Sequence, residues 1–130
     1  MSARQITWQE MEQALAKWGL TTFRTLDSSY WVASKDYWDL VLASLGPYPF
    51  GYWAEVSDCD DVAEWAREEC YRHYRIKPGI VVNGPHVFNI LILPDLTLQL
   101  VDAGWSEGPA YVEPGFPGSL YDLAGAKVWH

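Results

Sequence analysis

Gly79-Ile80-Val81-Val82-Asn83-Gly84-Pro85-His86-Val87-Phe88-Asn89-Ile90-Leu91-Ile92-Leu93-Pro94-Asp95-Leu96-Thr97-Leu98-Gln99-Leu100-Val101 is the stretch at which the chain changes period. Val, Ile, Phe and Thr recur in it, side chains that pack well on a pleated surface and lose rotamer freedom in a helix. Val87 to Leu93 is apolar at nearly every position, which predicts a central strand buried on both faces. Pro94-Asp95 predicts a turn, and Leu96 to Val101 alternates apolar and polar residues as a half-buried strand does. Together with Ile80 to Val82 these runs predict an antiparallel meander.

Upstream of Gly79 the spacing is helical. Thr7 and Glu10 form a capping-box pattern, and Trp8, Met11, Leu15 and Trp18 make one apolar stripe that Gly19 stops. Thr22 to Leu26 leans towards strand. Ser34 can cap a second helix that runs to about Leu45, buries Trp38, Val41, Leu42 and Leu45, and ends at Gly46-Pro47. A third and longer helix starts near Asp58, whose carboxylate can accept a bond from the amide of Asp61 or its neighbour. Its buried stripe is Cys59, Val62, Ala63, Ala66, Cys70 and Tyr74, and Lys77-Pro78-Gly79 closes it. After the meander, the Gly- and Pro-rich segment 103–130 predicts ordered loops, a last short element at Ala126 to Trp129, and a disordered His130. Helices first and a meander after them predict an α+β fold, with the N-terminal helices packed on the sheet.

The chain has 130 residues, enough for one domain over 1–130 that folds without disulfides or a structural metal. It is 49% hydrophobic and 20% charged, a globular balance. Net charge −8 argues against direct nucleic-acid binding, which needs a basic face. No apolar run approaches the ~20 residues of a membrane span, and Met1 to Glu10 lacks the order of a signal peptide. Both observations, with reduced thiols, predict a cytoplasmic protein. Eight Trp and eight Tyr fit either a core of large side chains or an interaction surface. Pro47 to Trp53 cannot be a regular helix, so Tyr52 and Trp53 are candidate substrate- or partner-binding residues on a loop. Acids crowd the start of the third helix and Arg72, Arg75 and Lys77 its end, which suits the helix dipole as well as it suits function. Glu64 and Glu68, one turn apart there, are candidate partner-binding residues on a solvent-facing side.

Cys59 and Cys70 lie on one predicted helix, roughly 16 Å apart, so they cannot form a disulfide within the molecule. Cys70 sits on the apolar stripe, where a thiol is an inert small hydrophobe. Cys59 follows the cap, where unpaired amides and the dipole favour thiolate while neighbouring carboxylates oppose it. His86 opens the most apolar strand, and a histidine there can face a helix start as the base of a cysteine hydrolase does. Asp102 ends the next strand, so hairpin pairing can set its carboxylate beside His86 and hold the imidazole's tautomer. Cys59, His86 and Asp102 are therefore the candidate catalytic residues.

At these residues the sequence resembles a known family. Leu26-Asp27-Ser28-Ser29-Tyr30, Ser34-Lys35-Asp36-Tyr37-Trp38, Asp58-Cys59-Asp60-Asp61 and His86-Val87-Phe88-Asn89 are similar, in order, to small phage and bacterial proteins related to the papain-like protease half of a mushroom agglutinin. The resemblance covers about 26–102, which implies a papain-like core there and a C-terminal extension over 103–130. It implies Cys59 as nucleophile, His86 as base and Asp102 where the family has an orienting Glu. It also points to calcium at Asp60 and Asp61, whose carboxylate oxygens suit a hard ion, with no other cofactor required. Val62, Val87 and Ala103-Gly104 depart from the family's aromatic, Ala and Pro-Gln.

Two function classes follow. One is a small cysteine hydrolase, phage-encoded, that cleaves a peptide or isopeptide bond in a protein or peptide substrate. The other is a catalytically inert acidic inhibitor that binds a host protein, of an anti-defence, anti-CRISPR or DNA-mimic type, through carboxylates and exposed aromatics.

Overall fold

A computed structural model describes residues 3–24, 28–51 and 58–130. Tyr52, Trp53, Leu26 and Asp27 lie outside the described residues. Among those described, the element order is β1 (Ala3–Thr7), α1 (Trp8–Ala16), β2 (Thr21–Arg24), β3 (Ser29–Ala33), α2 (Lys35–Leu45), α3 (Cys59–Tyr74), β4 (Gly79–Val82), β5 (Val87–Ile92), β6 (Leu98–Asp102), β7 (Ala110–Val112) and β8 (Lys127–Trp129). This is an α+β fold.

Local chemistry explains the helix starts. Thr7 Oγ1 accepts from the Glu10 amide at 3.2 Å while Glu10 Oε1 accepts from the Thr7 amide at 3.1 Å, a closed capping box. Ser34 Oγ accepts from the Tyr37 amide at 3.4 Å to start α2. At α3 the Asp58 amide donates to Asp61 Oδ2 at 3.1 Å. The helix stops at Arg75, which adopts φ 60 and sends its amide to the Tyr71 carbonyl.

The large sheet runs β2-β8-β4-β5-β6-β7, and β4 to β7 are the antiparallel meander. β5 is buried on both sides. Phe88, Ile90 and Ile92 join Met11 and Leu15 of α1, whereas Leu91 joins Trp38, Val41 and Cys70 of α2 and α3. Each such buried side chain contributes about 1.5–3 kcal/mol, so this strand anchors both layers.

Three features depart from the sequence-based expectations. β1 and β3 pair as a separate antiparallel ribbon, in which only Ile6 of β1 is buried. β8 inserts between β4 and β2, antiparallel to the first and parallel to the second, so the segment after Asp102 supplies an interior strand of the sheet. His130 is ordered and buried, its ring edge-on to Tyr30 at 4.8 Å. Gly79 permits this: a Cβ there would lie 2.9 Å from His130 Cδ2 and 2.9 Å from Ile90 Cγ2. None of the described helices is long and apolar enough to cross a membrane.

Candidate active site

The start of α3, the start of β5 and the end of β6 converge on a cavity of about 210 Å³. Cys59, His86 and Asp102 all line it, with Val62, Phe88 and Trp105 among its apolar walls. The three residues come together because α3 packs across β5 and because β5 and β6 pair in register, Asn89 opposite Val101. That register sets the mouth of β5 beside the end of β6.

His86 Nε2 lies 2.9 Å from Asp102 Oδ2, and both side chains are largely buried. A carboxylate as short as that of Asp102 therefore reaches the imidazole. Asp102 Oδ1 accepts from the Gly104 amide at 2.9 Å, and Oδ2 accepts a second bond from the Tyr121 hydroxyl at 2.6 Å. Burial pushes the Asp102 carboxyl up, but the bonds from His86, Tyr121 and Gly104 outweigh it and hold its pKa below the ordinary value. Burial and the adjacent Asp102 carboxylate push the Tyr121 phenol up, so this hydroxyl stays protonated and donates. With Asp102 ionised, His86 must carry its proton on Nε2, which leaves Nδ1 as the basic nitrogen.

Cys59 is half-buried at the first position of α3, where helix amides lack intrahelical partners. No hydrogen bond joins its thiol to His86, and the two side chains line the same cavity. Asn89 links the two elements: buried beneath α3, it donates from Nδ2 to the carbonyls of Ala63 at 3.1 Å and Gly79 at 3.2 Å.

Asp58, Asp60 and Asp61 each bring a carboxylate oxygen within 4.8 Å of the others. Successive helical residues diverge by about 100°, which predicts that these three cannot converge. They do, because Asp58 precedes the helix in extended backbone (φ −118, ψ −164) and folds back over the first turn. A side-chain bond from Asp58, burial, and the charges of Asp58 and Asp61 raise the Asp60 pKa. Asp102, a candidate ligand from another segment, is committed to His86, Tyr121 and Gly104, whereas Asn89 donates from Nδ2 to helix and strand carbonyls and keeps a buried Oδ1 without a hydrogen-bond partner. Glu64 and Glu68 are exposed on α3, and Glu68 is paired with Arg72 at 3.2 Å.

The sequence did not point to Asn83 or Tyr121. Asn83 Oδ1 accepts from the His86 amide at 2.7 Å and caps the β4–β5 turn, a role that an Asn ahead of Gly84-Pro85 could have signalled. Tyr121 stands in a Gly- and Pro-rich loop, and no local pattern marks its partner.

No family model and no curated protein matches the chain. Among solved structures, PSL1a in complex with E64, a cysteine-protease inhibitor, is similar with TM-score 0.67 at 14% identity. The match covers 96% of this chain and 49% of that one, so this chain spans about half the length of its neighbour. At that identity the likeness is one of fold, and it extends well beyond 26–102 to take in nearly all of 103–130.

Proposed function

We propose that the chain is a papain-like cysteine hydrolase acting on a peptide or isopeptide bond, and that it belongs with the agglutinin-related proteins it resembles. The observation that carries this reading is the His86 Nε2 to Asp102 Oδ2 bond at 2.9 Å in the wall of a cavity that also holds Cys59. It leaves the free imidazole nitrogen as base and a helix-start thiol as nucleophile.

In this mechanism Cys59 Sγ attacks the scissile carbonyl carbon as its proton passes to His86 Nδ1. Amides of the first turn of α3 receive the oxyanion. The imidazolium then protonates the leaving nitrogen, the C–N bond breaks, and a thioester on Cys59 remains. Water, deprotonated by His86, attacks the thioester; the C–S bond breaks, the acid leaves and the thiol is restored. The apolar walls of the cavity suit an apolar side chain of the substrate.

Asp58, Asp60 and Asp61 offer the hard oxygen donors that calcium takes. An ion there would relieve the mutual repulsion of these carboxylates, which falls on Asp60. A second reading, a noncatalytic acidic binder of a host protein, draws on the exposure of Glu64 and Glu68.

Iodoacetamide labelling and a peptide-library digest read by mass spectrometry separate the two. The hydrolase reading expects fast labelling at Cys59, slowed by His86→Ala, and peptide cleavage lost in Cys59→Ser. Labelling of Cys59 that ignores His86, with no cleavage by the wild type, would leave the binding reading in its place.

A further inference from the structure

We propose that Tyr121 is a positioning residue that acts on His86 through Asp102, so that the catalytic line has four members and not three. Its consequence for turnover rests on the hydrolase reading; its effect on the His86–Asp102 pair does not. The Tyr121 hydroxyl donates to Asp102 Oδ2 at 2.6 Å, the same oxygen that His86 Nε2 engages at 2.9 Å. One carboxylate oxygen is thus shared between two donors, and each draws negative charge from the other's bond. The ring adds a second constraint. Tyr121 stands edge-on to His86, with centroids 5.8 Å apart, and edge-on to Phe88 at 5.3 Å, while Phe88 stacks on His86. The three rings form one closed cluster, which restrains the imidazole against rotation.

The backbone around Tyr121 is tied to the same turn that carries His86. Asn83 Nδ2 donates to the Leu120 carbonyl at 2.7 Å and the Asp122 carbonyl at 3.0 Å, while Asn83 Oδ1 accepts from the His86 amide. One side chain therefore ties the backbone that carries the base to the backbone on either side of the tyrosine. Asp122 turns its own carboxylate away, to the amides of Gly118 and Ala124. The ionisable groups facing His86 are then Asp102 from β6, Tyr121 from the C-terminal loop and Cys59 across the cavity.

Sharing the oxygen moderates the pull of Asp102 on the imidazole. Too strong a pull would hold the proton on His86 when the leaving nitrogen needs it; too weak a pull would release the Nε2–H tautomer.

The test measures the His86 Nε2–H proton resonance by NMR, which needs no turnover. Tyr121→Phe keeps the ring contacts and removes the donor. Released from competition, the His86–Asp102 bond shortens and the resonance moves downfield. Incorporation of 3-fluorotyrosine at 121, a stronger donor on an intact ring, moves it upfield. In the peptide-cleavage assay Tyr121→Phe lowers kcat about tenfold with KM unchanged, since the interaction matters only as the proton moves. A resonance that stays fixed in both variants, or moves the same way in both, overturns the proposal even if the hydrolase reading stands. Opposite shifts with no cleavage by the wild type would sink the hydrolase reading and leave Tyr121 in its role.

Discussion

At the N-terminal end of α3, Cys59 and His86 line one cavity and His86 is bound to a carboxylate; at the C-terminal end, Cys70 and His130 are buried among apolar side chains and cations. The residue types are the same and the chemistry is opposite. Burial pushes the Cys70 thiol up to about 12, with the Glu69 charge adding to it, so this sulfur is a packing group. Burial pushes His130 down to about 3, helped by the positive charges of Arg67 and Lys77, so this ring is held neutral. A thiol or an imidazole is only as reactive as the partner and solvent access its element provides. At one end a β-hairpin delivers a carboxylate, and at the other the sheet delivers Gly79, Ile90 and Val128.

The comparison breaks most sharply at Asp102. All three of its partners donate: His86 Nε2–H, the Tyr121 hydroxyl and the Gly104 amide. Asp102→Asn must turn an NH2 group against at least one of them, and the imidazole is then driven to the wrong tautomer or loses its anchor. Peptide cleavage should fall by about 10³–10⁴ in kcat. The acid limb of stability should also change. The folded carboxyl titrates below its unfolded value of 3.8, so Asp102 contributes stability above that pH and loses it as pH falls towards the folded value. Melts of wild type and Asp102→Asn between pH 2 and 5 should converge at the acid end. A variant that cleaves peptides at the wild-type rate would show that Asp102 has no part in the chemistry.

The other end is broken by acid. His130 stays neutral when folded, whereas an unfolded chain takes up a proton below 6.5. Stability is therefore intact above 6.5 and declines as pH falls towards about 3, by about 1.4 kcal/mol for each unit. Urea titrations from pH 7 to 4.5 should show this slope in the wild type and not in His130→Leu, which keeps an apolar filling beside Tyr30 and Gly79. Parallel slopes in the two proteins would mean that His130 is solvated in solution.

What was legible in the sequence is what local chemistry decides. The capping pairs at Thr7 and Ser34 and the stop at Gly46 are read from neighbours along the chain. α1 and α2 begin at the first two and α2 ends at the third, while α1 ends at Ala16, before the expected stop at Gly19. The juxtaposition of His86 and Asp102 was also legible, because a tight turn at Pro94-Asp95 fixes which ends of β5 and β6 meet. The Asp95 carboxylate closes that turn on Thr97. The insertion of β8 was not legible: Lys127 to Trp129 is too short to declare its partners, and β4 and β2 are chosen by the space left beside the meander. Tyr121 was hidden for the same reason, since its partner Asp102 is far away in sequence, and so was the hold of Asn83 on Leu120 and Asp122, although its cap on the His86 amide is local. The convergence of Asp58, Asp60 and Asp61 was not legible because Asp58 stands outside the helix, where the step of about 100° between residues does not hold.

That cluster carries the smallest effect, and it sharpens the contrast between the ends of α3. The dipole favours acids at the N-terminus, yet three carboxylates converge there and Asp60 bears the repulsion, while Glu68 and Glu69 further along the helix are paired with Arg72. Because the folded Asp60 pKa lies above 3.8, its charge costs stability at neutral pH, and the cost fades as pH falls through the folded value. Asp60 is exposed, so solvent screens most of this, and Asp60→Asn should stabilise by only about 0.3–0.5 kcal/mol at pH 7, a rise of ~1–2 °C in Tm. Glu68→Gln removes a paired charge and should be neutral or slightly destabilising. Millimolar calcium should invert the order, raising the wild-type Tm while leaving Asp60→Asn behind, because an ion held by the three oxygens turns repulsion into coordination. If Asp60→Asn melts lower than the wild type in chelator, the dipole outweighs the crowding, and the acidic start of α3 is a capped helix end with no strain for a cation to relieve.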